Sequence, residues 1–271
     1  MRFNDFDKQM RRYEQSLDQV IRPEDFIVVR LDGKGFTKFT KSAGFEKPFD
    51  EDFKKIMVQT TMDLIKYSGF HIIYGYTQSD EISLLFDVRD DAFGRKVRKI
   101  NSTLAGIASA SFMKNYLAHD PKFDGIMSFD CRVVPIPGNI LPDINTDRLC
   151  DYFIWRQDDA NRNALNGWCY WTLRKEGKSK GEATSILSGK GNSFKNELLF
   201  QRGINYNDLP KWQKRGVGIY RDKIRRMGLN PLTGETKVVD RTFYFADEFL
   251  PCGDEYRGVI SGIVLKSVDK V

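Results

Sequence analysis

The sequence predicts an α+β fold: a split ferredoxin-like domain of order β-α-β-β-α-β, then a helical extension carrying a late β-hairpin. Three observations predict it. Residues 26–31, Phe-Ile-Val-Val-Arg-Leu, are nearly all apolar, as in a strand covered on both faces. Residues 70–86 hold two β-branched and aromatic runs around a polar centre, Thr77-Gln-Ser-Asp-Glu81, the pattern of a hairpin. Segments with helical spacing of apolar residues lie between these strands and a final one at 126–134. In the split arrangement the first and third strands are central neighbours, so Asp32 comes to the sheet edge where the third strand starts.

The elements follow in order. Residues 3–19 read as a helix, with Phe3, Phe6, Met10, Tyr13 and Leu17 at helical spacing. After the first strand, Asp32-Gly33-Lys34-Gly35 opens a loop rich in Gly, Lys and Thr. Pro48 and Asp50 then start a helix that runs to Tyr67. A second long helix follows Asp90-Asp91 and reaches about Leu117. Val97, Ile100, Leu104, Ile107 and Ala108 form its apolar side, and Arg95, Lys96, Arg98 and Lys99 cluster near its start. Pro135 and Pro137 punctuate the end of this region, so the chain divides into a catalytic domain, 1–136, and a mostly helical region, 137–271. In the second part, helices are expected over 147–176, 180–187 and 193–202. A hairpin of 216–226 with 236–245 turns across a segment containing Asn230-Pro231. The tail beyond it shows no motif.

Composition narrows the function classes. The 271 residues are 41% hydrophobic and 13% aromatic, enough for a substantial core. No apolar run reaches about 18 residues, so no membrane helix is expected, and the charged start lacks an apolar signal core. A cytoplasmic protein is the expectation. Cys131, Cys150, Cys169 and Cys252 are scattered singly, which fits reduced thiols rather than a zinc site. His71 and His119, the only histidines, have no nucleophile signature nearby, which argues against triad chemistry. The net charge of +6 is compatible with a polyanionic partner but does not identify one.

The chemistry centres on Asp32 and on Asp80-Glu81. Each aspartate alone is an ordinary turn residue. Held side by side at a sheet edge, two carboxylates repel unless a cation lies between them. A divalent metal with oxygen ligands is the economical cation, and paired metals suit phosphoryl or nucleotidyl transfer. Adjacent strand residues face opposite sides, so Asp80 rather than Glu81 is expected to face Asp32, with Glu81 positioning it or binding a more distant metal. Gly33 and Gly35 leave room for phosphates near the backbone. No Walker motif is present: Gly189-Lys190 is followed by Gly191. The Arg95–Lys99 cluster reads either as a solvated helix face or as a phosphate clamp.

Five segments then match a known family in order. Val29-Arg-Leu-Asp-Gly-Lys-Gly-Phe36, Tyr76-Thr-Gln-Ser-Asp-Glu81, Trp155-Arg-Gln157, Lys195-Asn-Glu-Leu-Leu-Phe200 and Ile204-Asn-Tyr-Asn-Asp-Leu-Pro210 resemble the tRNA-His guanylyltransferase family, and most of all its bacterial and archaeal relatives. The resemblance implies a polymerase-like palm and a nucleotidyltransferase that adds nucleotides in the 3′–5′ direction to a tRNA 5′ end. ATP activates a 5′-monophosphate, and the 3′-hydroxyl of an incoming GTP or other nucleoside triphosphate then attacks. It implies two Mg2+ ions held by Asp32, Gly33 and Asp80, with Glu81 counted among the catalytic carboxylates. It also implies nucleotide binding by Asp32, Gly33, Lys34, Gly35, Phe36, Thr37, Ser79, Asp80, Lys96 and Lys99. Contact with tRNA falls to Arg156, Asn161, Arg162, Asn163, Lys195 and Asn196, and assembly is expected to be homotetrameric.

One departure matters. Where the eukaryotic tRNA-His enzymes carry a His-x-Asn-Asn run tied to anticodon recognition, this chain has Asn161-Arg-Asn-Ala164. Template-dependent repair of tRNA 5′ ends is therefore the expected activity, with tRNA-His-specific guanylyl addition as the alternative. A nucleotidyl cyclase sharing the palm and a non-catalytic RNA-binding module are the competing classes.

Overall fold

The computed structural model describes residues 3–138, 144–229, 231–232 and 234–268; Met1 and Arg2 of the charged start and Asn230 of the hairpin turn lie outside them. The elements are α1 (Phe3–Gln15), β1 (Asp25–Lys34), α2 (Phe36–Ser42), α3 (Glu51–Tyr67), β2 (Ile72–Gln78), β3 (Glu81–Phe86), α4 (Val97–His119), β4 (Ser128–Pro137), α5 (Asp147–Lys175), α6 (Lys180–Leu187), α7 (Asn192–Phe200), α8 (Lys211–Arg215), β5 (Val217–Leu229), β6 (Thr236–Asp247) and α9 (Gly253–Val268). All six strands form one antiparallel sheet of order β4-β1-β3-β2-β5-β6. Its first four strands have the split ferredoxin-like order, with β1 and β3 central.

Strand alternation explains why β1 is nearly all apolar from Phe26 to Leu31. Ile27, Val29 and Leu31 face one layer, where they pack with Met57 and Leu64 of α3 and with Leu104 and Phe112 of α4. Phe26 and Val28 face the other, against Leu149 and Phe153 of α5 and Tyr256 and Ile260 of α9. Each buried Leu, Ile or Phe stabilises by roughly 1.5–3 kcal/mol, so both layers are anchored through this strand. A third core joins the far half of α5 to α6 and α7 through Leu165, Cys169, Leu173, Ala183 and Leu199. Asp50 caps α3 as its sequence position predicts, accepting from the N–H groups of Asp52 and Phe53 at 2.8 and 2.9 Å.

Four expectations change. The segment after Gly35 is a helix rather than a loop, because Phe36, Phe39 and Thr40 bury one side of it. Gly35 makes the turn with φ 77°, in the left-handed region. The last palm strand runs beyond residue 134: Pro135 lies within β4 and Pro137 ends it, at an edge position that leaves their missing N–H groups harmless. The tail forms α9, whose Tyr256, Ile260 and Val264 recur every fourth residue on its buried side. Finally, the division at 136/137 does not separate two independent folds. Residues 74–77 of β2 pair with 217–220 of β5, so the C-terminal region completes the palm's own sheet.

Candidate active site

The register of β1 and β3 sets Asp32 directly opposite Glu81. Gln78 and Glu81 close the hairpin, leaving Ser79 and Asp80 as its two-residue turn. Ser79 takes φ 54°, unusual for a residue with a side chain. Two hydrogen bonds hold this turn: the Thr77 hydroxyl donates to the Glu81 carbonyl at 2.9 Å, and the Gly33 N–H donates to the Asp80 carbonyl at 3.1 Å. A Cβ at Gly33 would lie 2.4 Å from the Phe36 ring, so any side chain there has to displace that ring.

Asp32 and Glu81 share Arg30, which donates to Asp32 Oδ1 at 2.7 Å and Glu81 Oε1 at 2.6 Å. Arg132 on β4 reaches Asp32 Oδ2 at 3.1 Å, and Arg156 on α5 reaches Glu81 Oε2 at 2.5 Å. The expected simple pairing of Asp32 with Asp80 is thus replaced by a bridged pair, Asp32–Arg30–Glu81, because cross-strand register outweighs proximity to the turn. Asp80 still senses Asp32. Burial raises its pKa above the ordinary carboxylate range, and the Asp32 charge adds to the rise. Burial likewise raises Glu81, against the pull of Arg156 and Arg30.

Asp80 also borders a cavity of about 570 Å³ between the palm and the helical extension. Of the residues expected to bind nucleotide, Phe36, Thr37, Ser79 and Asp80 line it. The walls add residues that sequence reasoning missed: Lys47 on the palm side, and Trp171, Arg174 and Lys180 on the extension side. The signal available for the last two was the basic run from Arg174 to Lys180. Lys47 donates to the Thr40 hydroxyl at 2.5 Å, and burial lowers its pKa against the charges of Asp50 and Asp80. A volume of this size, part apolar and part cationic, suits a nucleotide.

Other expected site residues lie elsewhere. Lys96 pairs with Asp18 at 3.0 Å and Arg98 pairs with the same carboxylate, so both brace the segment after α1. Arg95 is buried and donates to the carbonyls of Asp90, Arg22 and Asp25. Lys99 alone of the cluster is exposed with no ion-pair partner among the described residues. The Arg156 side chain, expected to contact RNA, is only 4% exposed and is taken up by Glu81 and Asp159. Asn161 accepts from the Tyr206 hydroxyl through its backbone and side-chain oxygens at 3.1 and 2.9 Å. Asn163 donates to Asp159 at 3.3 Å, Arg162 pairs with Asp159 at the surface, and Asn196 donates to the Asn192 carbonyl at 3.0 Å. The Lys195 carbonyl accepts from the Cys169 thiol.

Among the described residues no cluster of three or more His, Cys, Asp or Glu side chains is poised around a metal position. The donor set at the sheet edge fits a hard divalent cation nonetheless. It consists of oxygen only, and its two carboxylates stand in each other's field, with one pKa raised. Such a cation has to compete with Arg30 and Arg132 for Asp32.

A palm whose central strand ends carry carboxylates beside a nucleotide-sized, cation-lined cavity defines the class of nucleotide-transferring enzymes. The tRNAHis guanylyltransferase family model matches residues 7–137, and the model of the Thg1 C terminal domain matches 147–242. The chain belongs to the tRNA-His guanylyltransferase family and is a nucleotidyltransferase. The tRNA(His) guanylyltransferase of Schizosaccharomyces pombe is 35% identical over 76% of this chain and 77% of its own length. That of Neurospora crassa is 34% identical over 79% and 71%. Among solved structures, a bacterial Thg1-like protein in complex with ATP superposes with TM-score 0.73 at 27% identity, covering 95% of this chain and 97% of that one. The Saccharomyces cerevisiae enzyme gives 0.67 at 30%, covering 77% and 91%. No helix among the described residues is long and apolar enough to cross a membrane.

Proposed function

We propose that this chain adds guanylate to the 5′ end of tRNA-His, with nucleoside triphosphate held in the cavity beside Asp80. The observation that carries the reading is the meeting, at one sheet edge, of Asp32, Asp80 and that cavity. The names of the relatives supply the substrate. Phe36 and Trp171 offer apolar surface to the base, while Lys47, Arg174 and Lys180 offer charge to phosphates. Asp32, the Gly33 carbonyl and Asp80 would hold Mg2+, which neutralises charge on the transferring phosphoryl group when bound. Arg132, half exposed beside Asp32, is placed to meet a second phosphate chain or the tRNA 5′ end.

Asn161 favours a second reading, template-dependent repair. It stands where the eukaryotic enzymes carry a histidine, and its side-chain oxygen is occupied by Tyr206. Phosphate and ribose contacts from Arg162 and Lys195 hold RNA without reading one sequence. Incubating the protein with intact tRNA-His and with several tRNAs lacking a first nucleotide, each with all four nucleotides, separates the two. Guanine added to tRNA-His alone supports the first reading. Comparable kcat/KM on several tRNAs, each tracking the opposing base, supports repair. Absence of any nucleotide addition overturns both.

A further inference from the structure

The Arg156 side chain lies almost wholly out of solvent, between Glu81 Oε2 at 2.5 Å and Asp159 Oδ2 at 3.2 Å, with its guanidinium 4.7 Å from the Trp155 ring. Glu81 therefore has each oxygen held by a different element: Oε1 by Arg30 of β1 and Oε2 by Arg156 of α5. A carboxylate bracketed from two sides cannot turn about its own axis. Its backbone is fixed as well, because Thr77 donates to the Glu81 carbonyl. The next residue back is Asp80, whose carbonyl accepts from Gly33, the neighbour of Asp32. Besides these two bonds within the palm, the 77–81 turn is thus tied by a third that crosses from the helical extension.

Stability does not account for this arrangement. Taking a guanidinium and a carboxylate out of water costs about as much as their attraction returns, and an apolar pair of equal volume does as well or better. The guanidinium does serve geometry: it meets two carboxylates on different elements through one nitrogen, Nη2, fixed in a rigid plane, whereas a lysine ammonium ends a shorter and freely turning stem. The bracket also continues outward. Asp159 pairs with Arg162, which is 70% exposed, so an unbroken series of ion pairs runs from the surface of α5 through Asp159, Arg156, Glu81 and Arg30 to Asp32.

We propose that Arg156 is a positioning residue: from α5 it holds Glu81, and through Glu81 it fixes the turn that sets Asp80 against Asp32. The inference rests on the nucleotidyl-transfer reading above. Its role is exerted through Glu81, with no contact to substrate.

The test uses the full chain with Arg156→Lys, Glu81→Gln and the double variant. Lysine keeps the charge but loses the reach and the rigid plane that set Nη2 between Glu81 and Asp159, so Arg156→Lys is expected to melt near the wild type. Its kcat for nucleotide addition falls at least tenfold, since a misplacement near 1 Å costs on the order of a hundredfold. KM for ATP and for tRNA stays within about twofold. The double variant loses no more than the worse single one, because both break the same link. A second readout does not depend on turnover: Mn2+ affinity, measured by the signal of the free ion in electron paramagnetic resonance, weakens several-fold in Arg156→Lys. An unchanged kcat, a loss that only follows the folded fraction, or a rise confined to the tRNA KM would each overturn the inference. A wild-type protein that adds no nucleotide sinks the functional reading instead, and the Mn2+ comparison then decides the role of Arg156 by itself.

Discussion

Strand β1 meets clustered charges at both of its ends. At the Asp25 end the cations are matched within the chain, with Lys99 the one exception among the described residues. Arg95 donates to three carbonyls, Arg22 forks onto Asp25 at 3.0 and 2.8 Å, and Lys96 and Arg98 converge on Asp18. At the Asp32 end the register leaves the matching incomplete. Asp32, Glu81 and Asp80 crowd together, two of the three carry raised pKa values, and a cavity opens beside them. The difference teaches that a basic run at a helix start can be a brace, and that the end to watch is the one where carboxylates are held in each other's field.

The comparison is open to breaking. The largest effect is expected at the Asp32 end: Asp32→Ala and Asp80→Asn should each lower nucleotide addition on the order of a hundredfold or more, with melting temperatures preserved. Asp80→Asn in particular removes a charge that burial disfavours. Single-turnover rates with differential scanning fluorimetry check both halves, and retained activity in either variant would contradict the assignment. Next comes the opposite end. Arg95→Ala strips the donor from three carbonyls and should cost about 2–4 kcal/mol in urea unfolding, while activity per folded molecule holds. A loss of turnover without a loss of stability would make that end functional after all. Gly33→Ala should cost about 1–3 kcal/mol by forcing the Phe36 ring aside, with activity falling alongside because the displaced ring lines the cavity. The smallest effects belong to the lysines. Lys96→Ala, whose loss breaks one surface pair, should leave stability and nucleotide KM within error. Lys99→Ala, at a residue outside the cavity lining, should likewise leave nucleotide KM within error, and a raised KM would return Lys99 to the site.

Much of this was legible in the residues. The continuous apolar run of β1 and the period near four in α3 and α4 express burial directly, so the order of the palm could be read. Adjacent carboxylates in a turn, opposite a strand ending in Asp-Gly, pointed to the candidate site. Which of Asp80 and Glu81 faces Asp32 was not legible, because it depends on cross-strand register and on Arg30, which looks like any strand residue. Lys47 and Arg174 meet across the cavity from positions far apart in sequence, and nothing local marks such a meeting. Arg156 sits in a recognisable Trp-Arg-Gln triplet, yet nothing in that triplet marks its burial against Glu81. The helix α9 escaped notice because its apolar spacing is short and interleaved with glycine.

The pairing of β5 with β2 has a consequence for how the molecule is made. A chain emerging from the ribosome has the four strands of the palm well before residue 217 appears, and until then residues 74–77 of β2 present open backbone groups. Such an edge is a template for another strand. The hairpin that supplies its partner must wait for four intervening helices, α5 to α8, and the late contact has high sequence separation, which slows folding. A chain cut short after β4 would therefore be prone to associate through β2, and synthesis of the full chain passes through that same exposed intermediate before β5 closes it.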